Sequence, residues 1–149
     1  MRIRLDDEAA TEAFGAALAA RLRPGDAVAL YGTLGAGKTT LARGVLRGLG
    51  YQGDVASPTF PIVITYEPPQ LRIPVWHVDL YRIECSGELQ ELGIDEAKDE
   101  AVLLIEWPER LGALWPETLK LTLAVEGGAR ALEIEAPVAW QGRIEDLAI

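Results

Sequence analysis

Residues 32–39, Gly-Thr-Leu-Gly-Ala-Gly-Lys-Thr, carry the densest chemistry in the chain. Gly32, Gly37, Lys38 and Thr39 fit G-x-x-x-x-G-K-[ST], the pattern of a P-loop. Glycines let such a loop curl until successive backbone N–H groups point inward, and the helix that follows adds partial positive charge. Lys38 would reach the β- and γ-phosphates, and the Thr39 hydroxyl would bind Mg²⁺. The pattern therefore points to the triphosphate of a nucleotide. Its contacts would run through Thr33, Leu34, Gly35, Ala36, Gly37, Lys38, Thr39 and Thr40.

A P-loop also needs a carboxylate on the metal side, at the C-terminal end of a neighbouring strand. Two acids close apolar runs: Asp79 ends "IPVWHVD" and Glu106 ends "AVLLIE". An uncompensated buried charge in such a position is costly. Either acid could be a strand-end residue in solvent, but beside a P-loop at least one of the two is expected to be functional. Strand alternation places His77 with Asp79 on one face and Trp76 with Val78 on the other, but it does not rank the two acids. "SPTF" (Ser57 to Phe60) adds a threonine, Thr59, in the loop after the P-loop helix. Such a threonine can sense a γ-phosphate, as switch loops do. The same four residues also suit an ordinary proline turn.

The elements around these residues agree with that chemistry. "DAVALY" (Asp26 to Tyr31) follows a turn and reads as a buried strand. "TTLARGVLRGLG" places Leu41, Val45, Leu46 and Leu49 at helical spacing, with Gly50 at the expected C-terminal cap. Residues 8–22 form an amphipathic helix through Ala10, Phe14, Leu18 and Leu22, capped by Asp6 or Asp7. Ile62 to Glu67 and Ile73 to Tyr81 read as strands and as antiparallel neighbours. "SGELQELG" and "DEAKDE" suit short helical pieces, and Ala101 to Trp107 suits a buried strand. Residues 117–136 alternate as a hairpin, with Glu126 to Ala129 at the turn. The tail, residues 138–149, reads as a short helix or irregular. These elements predict one α/β domain over residues 1–149, a P-loop NTPase fold with a mixed parallel and antiparallel sheet flanked by helices.

Composition narrows the classes. The chain has 149 residues, enough for one domain with a real core, and 49% are hydrophobic. No apolar run reaches membrane-spanning length, and "MRIRLDDEAA" lacks the apolar core of a signal peptide. One cysteine (Cys85) and one histidine (His77) make neither an internal disulfide nor the usual zinc site. A soluble cytoplasmic protein with no membrane partner is the default. The net charge of −9 argues against tight direct nucleic-acid binding and for protein partners.

Together, "GTLGAGKTT", "SPTF", "HVDLYR" and "IEWPER" resemble the TsaE family of small bacterial P-loop ATPases. The resemblance extends over nearly all of the domain, and "HVDLYR" followed by "IEWPE" is far more specific than the P-loop. It implies weak ATP hydrolysis by the protein alone. The expected partners are a transferase subunit and its non-catalytic paralogue, TsaD and TsaB. With them it would support threonylcarbamoylation of the adenosine next to the anticodon in tRNAs that read ANN codons, tRNA being met indirectly through the complex. The resemblance assigns Mg²⁺ to Thr39 and Glu106, the other essential carboxylate to Asp79, and the switch threonine to Thr59. Tyr81, Arg82 and Trp107 fall on further motif positions. "GGAR" would set Arg130 beside adenine, and Glu8 or Thr11 would contact the base from the N-terminal segment. "PTF" stands where many members have "PTY".

A small-metabolite or nucleotide kinase would share the P-loop, but it needs an acceptor pocket and several arginines over the phosphates. Between Leu49 and Arg82 only Arg72 and Arg82 are offered. A GTPase would need N-K-x-D to read guanine, and the chain has none. A non-catalytic, nucleotide-gated adaptor is the remaining alternative. No second cation lies within the P-loop itself, so intrinsic hydrolysis should be slow.

Overall fold

The computed structural model describes residues 1–33, 35–56, 63–81, 93–111 and 114–148. Leu34, the stretch holding Thr59, Arg82, Cys85 and the segment expected to be helical after it lie outside the described residues.

The described strands form one seven-stranded sheet in the order β1-β7-β6-β2-β5-β4-β3. They are β1 (Arg2–Leu5), β2 (Ala27–Tyr31), β3 (Val63–Tyr66), β4 (Val75–Asp79), β5 (Val102–Glu106), β6 (Leu119–Glu126) and β7 (Ala129–Glu135). Strands β4, β5, β2 and β6 run parallel. Strand β3 is antiparallel at one edge, and β7 and β1 are antiparallel at the other. The sheet is thus mixed, as expected, and β3 and β4 are the antiparallel neighbours the sequence suggested.

Strands β2 and β5 are apolar until their last residues, Tyr31 and Glu106, because both sheet faces are covered. On one face Val28, Leu30 and Leu104 join the cluster beneath α1 (Glu8–Ala19) and α2 (Lys38–Gly48). On the other, Ala27, Leu103 and Ile105 pack with Ile94 and Ala97 of the short α3 (Ile94–Lys98). Each fully buried Leu or Ile contributes roughly 1.5–3 kcal/mol, so these two clusters hold the parallel centre rigid.

The helices end where local chemistry ends them. Asp7 caps α1, its carboxylate accepting from the Ala10 N–H at 2.8 Å. That helix stops at Ala19, short of the expected 22; Leu22 is still buried, carried by a following turn. At the end of α2, Gly50 N–H donates to the Arg47 carbonyl and Tyr51 N–H to the Leu46 carbonyl, both at 3.0 Å. These two bonds make a Schellman closure. The two helices pack with their backbones nearly touching. A Cβ on Gly44 would stand 2.1 Å from the Glu12 carbonyl oxygen.

Two further boundaries differ from expectation. Strand β4 covers only Val75–Asp79 of the predicted 73–81, and β3 (Val63–Tyr66) ends one residue before Glu67, with Ile62 outside the described residues. Strand β1 is new: Arg2-Ile-Arg-Leu5 alternates for too few residues to declare itself, and it exists because β7 offers a free edge. The tail forms two 3-10 turns, Val138–Trp140 and Glu145–Ala148.

Candidate nucleotide site

Parallel pairing aligns Leu30 with Glu106, and Glu106 with Asp79. The carboxyl ends of β2, β5 and β4 therefore lie in one row, on the rim where ligands settle in open parallel sheets. The P-loop springs from β2 at that rim. Gly35 (φ 80°) and Gly37 (φ 107°) adopt left-handed backbone, which a side chain would resist and which turns the loop back on itself. Helix α2 then begins at Lys38 with no side-chain cap, leaving its first-turn amides for a ligand. A cavity of about 740 Å³ opens there. Lys38, Thr39 and Thr40 line it together with Gly35 and Gly37, the carboxylates Asp79 and Glu106, and Glu8, Thr11 and Arg130.

Lys38 is buried to 5% exposure. Its Nζ donates to the Gly32 carbonyl at 2.7 Å and stands 4.0 Å above the centre of the Trp107 ring. Burial pushes its pKa down, opposed by the charges of Glu106, Asp79 and Glu109. Trp107 holds a left-handed backbone (φ 57°), unusual for a bulky residue, and its ring lies 4.9 Å from that of Tyr81. Backbone strain at Trp107 thus places an aromatic face under the ammonium.

Asp79 and Glu106 are both buried, and Asp79 accepts from the Tyr81 N–H at 2.9 Å. Glu106 meets His77 Nε2 at 2.6 Å. The other ring nitrogen, Nδ1, has no partner among the described residues. A carboxylate oxygen accepts, so the bond to Glu106 needs the proton on Nε2 and makes His77 the donor. The Thr39 hydroxyl and the two carboxylates are hard oxygen donors, suited to Mg²⁺. No group of three or more His, Cys, Asp or Glu residues forms a closed metal nest among the described residues.

The other expected contacts are placed as follows. Thr33 and Ala36 do not line the cavity: the Thr33 carbonyl accepts from the Ala36 N–H at 3.1 Å within the loop, and Ala36 is fully buried. The Thr11 hydroxyl donates to the Asp7 carbonyl at 3.3 Å, and Glu8 lies 3.4 Å from Arg43 at the cavity mouth. Arg130 Nε donates to the Ala36 carbonyl at 2.9 Å and Nη2 to that of Gly35 at 3.2 Å. Sequence reading missed the lysine's parking place on the Gly32 carbonyl, and Asp7 and Gly128 on the cavity wall. It also missed the link of His77 to Glu106. The face shared by His77 and Asp79 was the available signal, and only the pairing of β4 with β5 completes it.

Residues 5–132 match a family model, that of the threonylcarbamoyl adenosine biosynthesis protein TsaE. The tRNA threonylcarbamoyladenosine biosynthesis protein TsaE of Rickettsia bellii is 40% identical over 116 residues, which span 77% of this chain and 79% of that protein. Its namesake from Streptomyces coelicolor is 40% identical over 122 residues, 80% and 82% of the two chains. Among solved structures, Bacillus subtilus YdiB superposes with a TM-score of 0.82 at 28% identity, covering 99% of this chain and 93% of that one.

Proposed function

The chain belongs to the TsaE family and takes part in threonylcarbamoyladenosine modification of tRNA, and from that premise we propose that it does so as a magnesium-dependent ATPase. One observation carries the reading. A lysine and uncapped helix amides face a pair of buried carboxylates across one cavity, all at the carboxyl rim of a parallel sheet. Phosphoryl transfer needs little more from a protein than positioning and charge neutralisation.

In this proposal the amides of Gly35 and of residues 37–39, with the Lys38 ammonium, hold the triphosphate, while the Ala36 N–H is taken by the Thr33 carbonyl. Thr39 and Glu106 hold the metal, and Asp79 orients the attacking water or links to the switch loop that carries Thr59. Magnesium, when bound, offsets charge on the phosphate oxygens. Lys38 must leave the Gly32 carbonyl and the Trp107 face to reach a phosphate, and the ligand's charge offsets that loss. Arg130 is engaged with loop carbonyls and supplies no finger, which supports slow hydrolysis by the protein alone.

The remaining assignments complete the reading. Residues 1–149 act as one ATPase domain in the cytoplasm. The protein resets the transferase subunit TsaD and its paralogue TsaB between turnovers. The net charge of −9 favours meeting tRNA through that complex.

Calorimetry with magnesium-ATP, paired with phosphate release, tests the reading. Lys38→Ala should stay folded and lose phosphate release by about a hundredfold or more. Release at the parent rate, or no binding heat from the parent, would sink the ATPase assignment.

A further inference from the structure

Arg130 stands at the start of β7, paired with Leu5 of β1 and Val125 of β6. From there its guanidinium crosses to the P-loop and takes the carbonyls of Ala36 and Gly35 at 2.9 and 3.2 Å, while Nη1 returns to the Ala129 carbonyl at 3.3 Å. Three donors of one planar fork are thus committed to backbone oxygens, two of them in the loop. We propose that Arg130 is a positioning residue that holds the phosphate loop in its binding shape before any nucleotide arrives.

The physical reason lies in the peptide plane. A trans peptide points its N–H opposite to its C=O. Fixing the carbonyls of Gly35 and Ala36 on the Arg130 side turns the N–H groups of Ala36 and Gly37 to the other side. The Ala36 N–H does point there, into the loop, where the Thr33 carbonyl accepts it at 3.1 Å. The flanking Gly35 and Gly37 are the residues with the greatest freedom to flip. A loop whose glycines wander must be ordered by its ligand, and that ordering weakens binding; a loop already held avoids the loss. Arginine suits the task because its fork spans two acceptors and keeps its charge at any working pH.

The inference rests on the nucleotide reading of the cavity but differs from a base contact in what it predicts. A residue beside adenine affects nucleotides according to their base. A residue that shapes the loop affects everything with a phosphate tail equally.

The test compares the parent with Arg130→Met, which keeps the stem and loses the fork, and Arg130→Lys, which can serve one carbonyl only. Binding of magnesium-ATP, magnesium-GTP and inorganic tripolyphosphate is measured by calorimetry, and amide exchange at residues 35–38 is followed on the ligand-free proteins. Two to three lost charge-assisted bonds predict that Arg130→Met weakens all three ligands by one common factor, roughly tenfold or more, with Arg130→Lys between. Exchange at residues 35–38 should quicken in the same order. A loss confined to ATP with tripolyphosphate unaffected, or unchanged exchange in both variants, overturns the proposal. An arginine that touched phosphate directly would weaken all ligands yet leave ligand-free exchange alone, and that outcome also overturns it. If the parent bound no nucleotide the ATPase reading would fail, while exchange in the ligand-free proteins would still decide the role of Arg130.

Discussion

His77 Nε2 donates to Glu106 Oε2 at 2.6 Å across two parallel strands, with the histidine wholly buried. A carboxylate withdrawn from water needs such a donor, and the bond also fixes which way the acid points. His77→Leu keeps the volume and removes the donor. It should cost about 1–3 kcal/mol of stability and raise the magnesium needed for half-saturation of nucleotide binding. His77→Gln, whose amide can reach the place of Nε2, should recover part of both. Thermal melts and magnesium titrations decide; a leucine variant equal to the parent in both removes the pair from any role.

Metal removal should expose the cost of the carboxylate pair. Asp79 and Glu106 line the cavity proposed to receive phosphates, so without magnesium they should repel the ligand. In EDTA the parent should bind ATP about tenfold more weakly than with magnesium. Asp79→Asn and Glu106→Gln should bind metal-free ATP at least as tightly as the parent, and should gain less from added magnesium. Calorimetry of all three proteins with and without EDTA measures this. Equal magnesium dependence in parent and variants would show that neither acid is on the metal side.

Gly44 offers a contest between two effects of known sign. Gly→Ala within a helix normally stabilises by about 1 kcal/mol. Here the added Cβ would meet the Glu12 carbonyl oxygen at 2.1 Å, so α1 and α2 must part. Overpacking of that kind costs about 1–3 kcal/mol and should win. Gly44→Ala is therefore expected to lower the urea midpoint, and to weaken ATP because α2 carries the P-loop at its start. Gly128→Ala is the control for stability. Its Cβ would meet nothing within 4 Å, and a change of less than about 0.5 kcal/mol is expected. A stabilised Gly44→Ala would show that the helices separate freely.

Glu117 sets a pH dependence away from the site. The hydrogen bond from Lys98, 2.9 Å, holds the Glu117 carboxyl below its usual value of 4.5. A depressed folded-state pKa means that the unfolded chain binds the extra proton first as pH falls. The pair's stabilisation is then full above the ordinary value and disappears as pH drops below 4.5 through the folded value. Because Glu117 is half-exposed, the effect is small, under about 1 kcal/mol. Urea unfolding of parent and Glu117→Gln should differ at pH 7 and converge in acid. A difference that grew on acidification would reverse the sign of the assignment.

Much of the fold was legible in the sequence because its signals are local. Val28 and Leu30, Leu103 and Ile105 lie in short apolar runs, and an apolar run bounded by turns reads as a covered strand wherever it sits. Asp7 and Gly50 announce helix ends through bonds made within a turn of themselves. Strand β1 escaped notice because two alternations of Arg with Ile and Leu carry no weight until β7 lies beside them.

The candidate site divides along the same line. Glycine spacing and the Lys-Thr pair by themselves marked the candidate anion-binding loop, since curling a backbone around phosphate depends only on consecutive residues. Tertiary structure alone decided that Asp79 and Glu106 stand side by side, that His77 serves Glu106, and that Arg130 grips the loop instead of lying free. Those relationships depend on strand order and register, which are set by how the whole chain buries its apolar surface. No window of neighbouring residues contains that information.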